Sequence, residues 1–295
     1  MYSIICCSVN PEEAAALERN IADTIGMPFE FIPFDNREKG YGLCKVYNLC
    51  AERARYDFLC FVHEDVRFLT KDWGRLVASQ LSRKECGLVG FAGSVITLKR
   101  LTGWYTCGRD LRANYVQYMR GGDHLRCVNP AKEDFSPVVT LDGLCLFVRC
   151  DVWKEIPFDE VTFRGFHCYD LDYSLSVSCR YRNFVCNTVL VEHFSEGAFS
   201  HVWVDELKRL HKKWESRLPM VAVPLALKDL RRYDRLGEGY FIKFMWQKGC
   251  FDIRGFRDAV YYFLRYPLTG SVWTLFPKYL KYKLRYLCKN KSGMC

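Results

Sequence analysis

Several things are scarce in this chain of 295 residues, and each absence removes a class of protein. No stretch of ~18 apolar residues occurs, so no membrane-spanning helix is expected. Even Ala259-Val260-Tyr261-Tyr262-Phe263-Leu264 stops at Arg265. The first ten residues, Met1 to Asn10, lack a basic start and a small-residue cleavage site, and they read as a buried strand ending in a loop rather than a secretion signal. No two cysteines have CxxC spacing although sixteen are present, and Cys6, Cys7, Cys60, Cys145 and Cys186 lie in apolar, strand-like runs. The expectation is small buried hydrophobes in a reducing, cytoplasmic compartment, not a disulfide framework or a zinc–thiolate cluster. Zinc-finger, RNA-recognition and glycine–lysine phosphate-loop signatures are missing too, so the net charge of +9 is not read as nucleic-acid binding.

Acidic residues also run out, with none after Asp258, while Arg265, Lys278, Lys281, Lys283, Arg285, Lys289 and Lys291 follow. The C-terminal region therefore holds most of the basic excess. Its cations are interleaved with Tyr279, Leu280, Tyr282, Leu284, Tyr286 and Leu287, a mixture suited to an anionic membrane surface or to a solvated tail.

What is present is an alternation of strand and helix signals. Ser3 to Ser8 is a continuous apolar run suited to a strand covered on both faces. Asn10-Pro11-Glu12-Glu13 supplies a cap, a first-turn proline and helix-start acids, predicting a helix to about Ile25. Phe29–Phe34 reads as a second strand ending at Asp35-Asn36, 43–55 as a helix, and Phe58–Val62 as a third strand running into His63-Glu64-Asp65. This order implies a largely parallel sheet, with ligands bound beyond the carboxyl ends of its strands. Ser8, Asp35-Asn36 and His63-Glu64-Asp65 all fall at that edge.

Further strands are expected at Gly87–Gly93, Leu144–Val148 and Phe184–Val191, the last delivering His193. Residues 95–138 are expected to be irregular. Residues 166–172 open a helix continuing to about Tyr181. The predicted division is 1–203 for the sheet domain and 204–295 for a helical, aromatic-rich, basic extension.

Three constellations can carry chemistry. An acidic cluster ending a buried strand, His63-Glu64-Asp65, is costly unless it is solvated or holds a cation, and a hard divalent ion on diphosphate oxygens would satisfy it. In Tyr169-Asp170-Leu171-Asp172 the two carboxylates diverge by about 200° around a helix. One can therefore face a cleft and accept a proton while the other caps backbone amides or meets the helix dipole. His193, at the end of a strand and before Phe194-Ser195-Glu196-Gly197, can ligate a metal or bind phosphate, or be structural.

In order, these segments resemble a known family. Asn36, Lys45-Val46-Tyr47-Asn48, Phe61-Val62-His63-Glu64-Asp65-Val66, Leu141-Asp142-Gly143-Leu144, Phe158-Asp159-Glu160, Phe166–Asp172 and Val191-Glu192-His193 are similar to inverting glycosyltransferases of the GT-A fold. The likeness is to the bacterial glycosyltransferase-like branch, in which a triplet beginning with His replaces Asp-x-Asp, and it covers about residues 2–200. It implies a Rossmann-like α/β fold with a mixed, mainly parallel sheet flanked by helices. It further implies a metal-dependent sugar transfer from a nucleoside-diphosphate sugar to an acceptor hydroxyl.

By the same resemblance, Asp65 and His193 hold Mg²⁺ or Mn²⁺, and Asp170 is the catalytic base. Ser8, Asn36 and His63 contact the nucleotide, while Asp142, Gly143, Tyr169 and Asp172 lie near the donor sugar and acceptor. Tyr169 stands where the family has glutamate, and Asp172 is the alternative base. The expected setting is surface-glycan or lipid-linked oligosaccharide assembly, with a glycan or lipid-linked acceptor and a peripheral position at the inner membrane face. A catalytically inactive nucleotide-sugar-binding interaction module is the rival reading.

Overall fold

The computed structural model describes residues 1–104, 111–118, 124–128, 133–195, 197, 200–247, 253–267, 276–278 and 280–281. The chain divides into two compact units: Met1–Thr97 with Gly108–Gly197 and Pro219–Pro224, and Leu98–Cys107 with Ala198–Leu218 and Leu225–Cys295. The basic tail beyond residue 281, on which the membrane expectation partly rests, lies outside the described residues.

The first unit begins β1 (Tyr2–Ser8), α1 (Pro11–Thr24), β2 (Phe29–Asp35), α2 (Leu43–Ala51), β3 (Phe58–His63), β4 (Val66–Phe68), α3 (Trp73–Leu81). It continues β5 (Cys86–Gly90), β6 (Ala92–Ser94), β7 (Ile96–Thr97), β8 (Leu111–Tyr118), β9 (His124–Val128), β10 (Phe135–Val138), β11 (Thr140–Leu141), β12 (Cys145–Arg149). Then come α4 (Cys150–Glu155), α5 (Tyr169–Ser178), β13 (Arg182–Cys186) and β14 (Val191–His193).

Seven strands form one mixed sheet in the order β10-β13-β5-β12-β3-β1-β2. β1 runs parallel to both β2 and β3, and β13 parallel to β5, whereas β12 is antiparallel to β3 and β5. This is the sheet flanked by helices that the sequence implies. Because β1 has partners on both edges and helices on its faces, all of Tyr2–Cys6 is buried, which is why the run is continuously apolar rather than alternating. The Asn10 side chain accepts from the Glu12 amide to start α1, and Pro11 sits where no intrahelical N–H is needed. α1 then presents Ala14, Leu17 and Ile21 to the core. Tyr2, Phe68, Trp73, Phe91 and Phe147 make an aromatic cluster in which the Phe68 and Trp73 rings stack at 4.2 Å.

A second sheet, β11-β6-β8-β14-β4 with β9 on β8, differs from the expectation for 95–138. The described residues of that segment are not irregular: they contribute β8, β9 and β10, with β8 pairing β6, β9 and β14. The strand expected over 87–93 is two, β5 and β6, in different sheets with buried Phe91 between them. The strand expected over 184–191 likewise splits into β13 and β14. The Asn187 side chain holds the break by donating to the Glu133 carbonyl and the Ser136 hydroxyl. α2 ends at Ala51, earlier than expected.

The second unit contains α6 (His201–Trp214), capped by the Ser200 hydroxyl on the Trp203 amide, and it buries Trp203, Val204, Leu207 and Leu210 at helical spacing. In the first unit, β15 (Met220–Val221) pairs with β7. α7 (Leu227–Gln247) and α8 (Ile253–Arg265) complete the second unit, with Arg265 paired to Glu238. In α8, Ala259 and Tyr262 are fully buried, yet Val260, Tyr261 and Leu264 are exposed, by 39%, 53% and 71%. At 100° per residue these sets occupy opposite sides, so the solvent side of α8 carries apolar residues beside the exposed Arg257 and Arg265. No helix among the described residues is long and apolar enough to cross a membrane.

Candidate active site

The two sheets meet where β3 ends. His63 closes β3, Glu64 and Asp65 form the link, and Val66 begins β4 in the second sheet. β14 lies between β4 and β8, pairing His193 with Val66 on one side and Gln117 on the other. The Phe194 amide donates to the Asp65 carbonyl at 3.0 Å. Strand register, rather than a loop, therefore brings His193 beside Asp65, with His193 Nε2 at 3.6 Å from Asp65 Oδ1.

His63, Asp65 and His193 each offer one ligand atom, and these atoms lie within 4.8 Å of one another. Ligands on one ion with bonds of about 2.1 Å are up to about 4.2 Å apart, so a shift of a few tenths of an ångström closes the set on a divalent cation. Two imidazoles and a carboxylate are a donor set compatible with such an ion. His63, assigned from the resemblance to the nucleotide, thus stands with the two residues assigned to the metal. Glu64, between two of these residues, turns away and accepts from the Val9 and Asn10 amides, tying the end of β1 to the end of β3.

Gln117, which sequence reasoning passed over, orients His193. Its Nε2 donates to the His193 and Ser195 carbonyls, at 3.3 and 2.7 Å, which leaves its Oε1 to accept at 3.1 Å from His193 Nδ1. His193 then carries a proton on Nδ1 and presents Nε2 to Asp65, with the Ser195 hydroxyl 3.4 Å from the same nitrogen. The signal available in the sequence was the half-buried strand around Asn114–Tyr118, hidden inside the segment expected to be irregular.

On the other side stands the start of α5. Tyr169 is buried, with its hydroxyl 2.7 Å from His63 Nε2 and 3.0 Å from the Gly143 carbonyl. Asp170 Oδ2 accepts from the Gly143 amide at 3.0 Å, and Asp142 Oδ1 accepts from the Leu144 amide at 2.9 Å. Burial pushes the Asp170 carboxyl up to about 7, helped by the negative charge of Asp142 and opposed by the amides of Leu171, Gly143 and Asp170 itself. Burial also lowers the His63 pKa, as does neighbouring His193, against the opposing charges of Asp65, Asp142 and Glu64.

The structure thus groups His63, Asp65, Asp142, Gly143, Tyr169, Asp170 and His193. Ser8 and Asn36 meet separately at the ends of β1 and β2, where the Asn36 amide donates to the Ser8 carbonyl. The Asn36 side chain closes the following loop by exchanging two hydrogen bonds with the Tyr41 backbone. Asp172 is not brought to this group: two residues past Asp170 on α5, it faces away and is 2% exposed.

With this geometry in hand, residues 3–214 match the glycosyltransferase-like family. No curated protein matches the chain in sequence. Among solved structures, a mannosyltransferase from Pyrobaculum calidifontis, PcManGT in complex with GDP-Man and Mn²⁺, is similar at TM-score 0.51 and 11% identity, over 95% of this chain and 85% of that one. S. aureus TarS 1–349 in complex with UDP-GlcNAc is similar at TM-score 0.50 and 14% identity, over 88% and 80%. GalNAc-T7 with UDP, GalNAc and Mn²⁺ gives TM-score 0.48 and 10% identity, with 80% of this chain spanning 54% of that one. At these identities the likeness to PcManGT and TarS speaks for the fold, which is GT-A.

Proposed function

The chain belongs to the glycosyltransferase-like family, and from that premise we propose that it moves a sugar from a nucleoside-diphosphate donor to an acceptor hydroxyl with inversion at the anomeric carbon. The observation that carries the reading is the placement of a carboxyl with pKa about 7, Asp170, one hydrogen-bonded glycine away from the arm that leads through Tyr169 to the His63, Asp65 and His193 group.

His63, Asp65 and His193 would hold a divalent cation, with two imidazoles favouring Mn²⁺ over Mg²⁺. When bound, that ion offsets the negative charge growing on the departing nucleoside diphosphate. Asp170 takes the acceptor hydroxyl proton onto its carboxylate, and the Gly143 amide on Oδ2 fixes the direction from which the other oxygen approaches. A base titrating near neutrality is matched to this task, and such assistance is typically worth ~10²–10⁴ in rate. Asp142 and Gly143 would border the donor sugar. Ser8 and Asn36 would hold base and ribose at the crevice beyond β1 and β2.

The acceptor is proposed to be a glycan or a lipid-linked one, with the protein peripheral at the cytoplasmic face of a membrane. The solvent-facing Val260, Tyr261 and Leu264 of α8, ahead of an acid-free basic segment, support this. The test is a thermal-shift panel of uridine, guanosine, thymidine and cytidine diphosphates and their sugar conjugates, with Mn²⁺, Mg²⁺ or chelator. It is followed by proton NMR of any product linkage. Metal-dependent stabilisation by one base and an inverted product are expected. A retained anomeric configuration would refute the single displacement, and binding without turnover would favour the inactive binding module.

A further inference from the structure

We propose that Tyr169 is a positioning residue that fixes the tautomer of His63, so that Nδ1 of this histidine is the atom presented to the cation. The inference rests on the reading of His63, Asp65 and His193 as a cation site. A tyrosine hydroxyl carries one proton, and this one has the Gly143 carbonyl at 3.0 Å and His63 Nε2 at 2.7 Å as neighbours, with the buried Tyr47 hydroxyl beside them. The carbonyl can only accept, so the proton of Tyr169 goes to it. The short contact with His63 then needs a proton from the imidazole, and Nε2 must carry it. In a neutral imidazole that leaves the lone pair on Nδ1. The opposite assignment, Tyr169 donating to His63, would strip this donor from the buried Gly143 carbonyl, a loss that hydrogen-bond energetics disfavours.

The two histidines are thereby held in complementary forms: Gln117 occupies Nδ1 of His193 and leaves Nε2, 3.4 Å from the Ser195 hydroxyl, on the cation side, and Tyr169 occupies Nε2 of His63 and leaves Nδ1. A second observation points the same way. A Cβ on Gly143 would lie 2.0 Å from the Tyr169 hydroxyl and 2.5 Å from its ring carbon Cζ. The hydroxyl reaches both partners only because residue 143 has no side chain. Tyr169 itself is wedged against Tyr47 and Phe158, with ring centroids at 5.6 and 6.4 Å, so its ring has a fixed seat independent of the hydroxyl.

The experiment uses the full chain. ¹⁵N–¹H correlation of the histidine side chains in metal-free protein, assigned with His63→Gln, reports which nitrogen of His63 is protonated. Titration with MnCl₂ alone, read by the electron paramagnetic resonance of free Mn²⁺, reports affinity. In the wild type the protonated nitrogen should be Nε2. In Tyr169→Phe, which keeps the ring in place, the signature should shift toward a mixture of tautomers and Mn²⁺ binding should weaken ~10–100-fold. Gly143→Ala, which displaces the hydroxyl without removing it, should weaken binding in the same direction. A proton on Nδ1 in the wild type overturns the proposal, and so does unchanged Mn²⁺ affinity in folded Tyr169→Phe. No Mn²⁺ binding by the wild type, with the Nε2–H signature intact, overturns the cation site itself.

Discussion

Replacing Asp170 with asparagine should flatten the dependence of folding stability on pH. In the native protein the carboxyl titrates at about 7, raised by burial and by Asp142. In the unfolded chain it returns to the ordinary value near 3.9. Between these values the native state binds a proton that the unfolded state has released, so stability falls as pH rises. The stabilising proton is fully in place below about pH 4 and is lost as the pH passes 7. A separation of about three pH units, at about 1.4 kcal/mol each, caps this effect at about 4 kcal/mol. Water reaches the partly exposed Asp170, so about 1–3 kcal/mol is expected.

The assay is urea denaturation of metal-free protein at pH 5 and pH 8.5, for the wild type and Asp170→Asn. The wild type should lose about 1–3 kcal/mol more than the variant on going to pH 8.5. Equal losses would show that Asp170 titrates as an ordinary carboxylate and would remove the argument for its tuning. In the proposed mechanism the same titration would act on catalysis with the opposite sign, because only the ionised form accepts a proton. Transfer by the wild type should rise through pH 7, and Asp170→Asn should lose at least ~10² in rate while still binding the donor.

Two further perturbations separate the other parts of the reading. Asp65→Ala should abolish the metal-dependent part of nucleotide stabilisation, which at 100 times the dissociation constant is worth about 2.7 kcal/mol in the wild type. An unchanged thermal shift would remove Asp65 from the ligand set. Leu264→Glu, on the exposed face of α8, should weaken sedimentation with phosphatidylglycerol vesicles by about tenfold or more. Equal partitioning of wild type and variant would end the membrane proposal.

Much of the sheet was legible because its strands report their surroundings directly. Ser3–Ser8 and Phe58–Val62 are buried on both faces, and no polar residue interrupts the apolar run. The caps of α1 are local chemistry and were read from four residues. Breaks between strands are harder to read: buried Phe91 sits in a run that looks continuous along the chain, and Asn187-Thr188 interrupt an otherwise apolar run by two residues alone. The second sheet was missed because β8 is half-buried along most of its length and so lacks a clean two-residue alternation. With it went Gln117, whose meaning depends on a partner 76 residues away. Likewise, nothing near Tyr169 in sequence announces that its hydroxyl meets a histidine 106 residues earlier. Asp170 was placed by the resemblance, and the physical reason for preferring it over Asp172, a side chain facing Gly143 rather than the interior, came only with the fold.

Gly143 has a role larger than its size. Its N–H fastens the carboxyl of Asp170, and its C=O fastens the hydroxyl of Tyr169. One residue thus acts as a yoke between Asp170 on one side and Tyr169, with His63 behind it, on the other. Neither can shift alone: a ligand that nudges residues 142–144 must pull on both at once. The mutational history of such a chain should show residues 143 and 169 changing together, because a larger residue at 143 has room only where the tyrosine has gone.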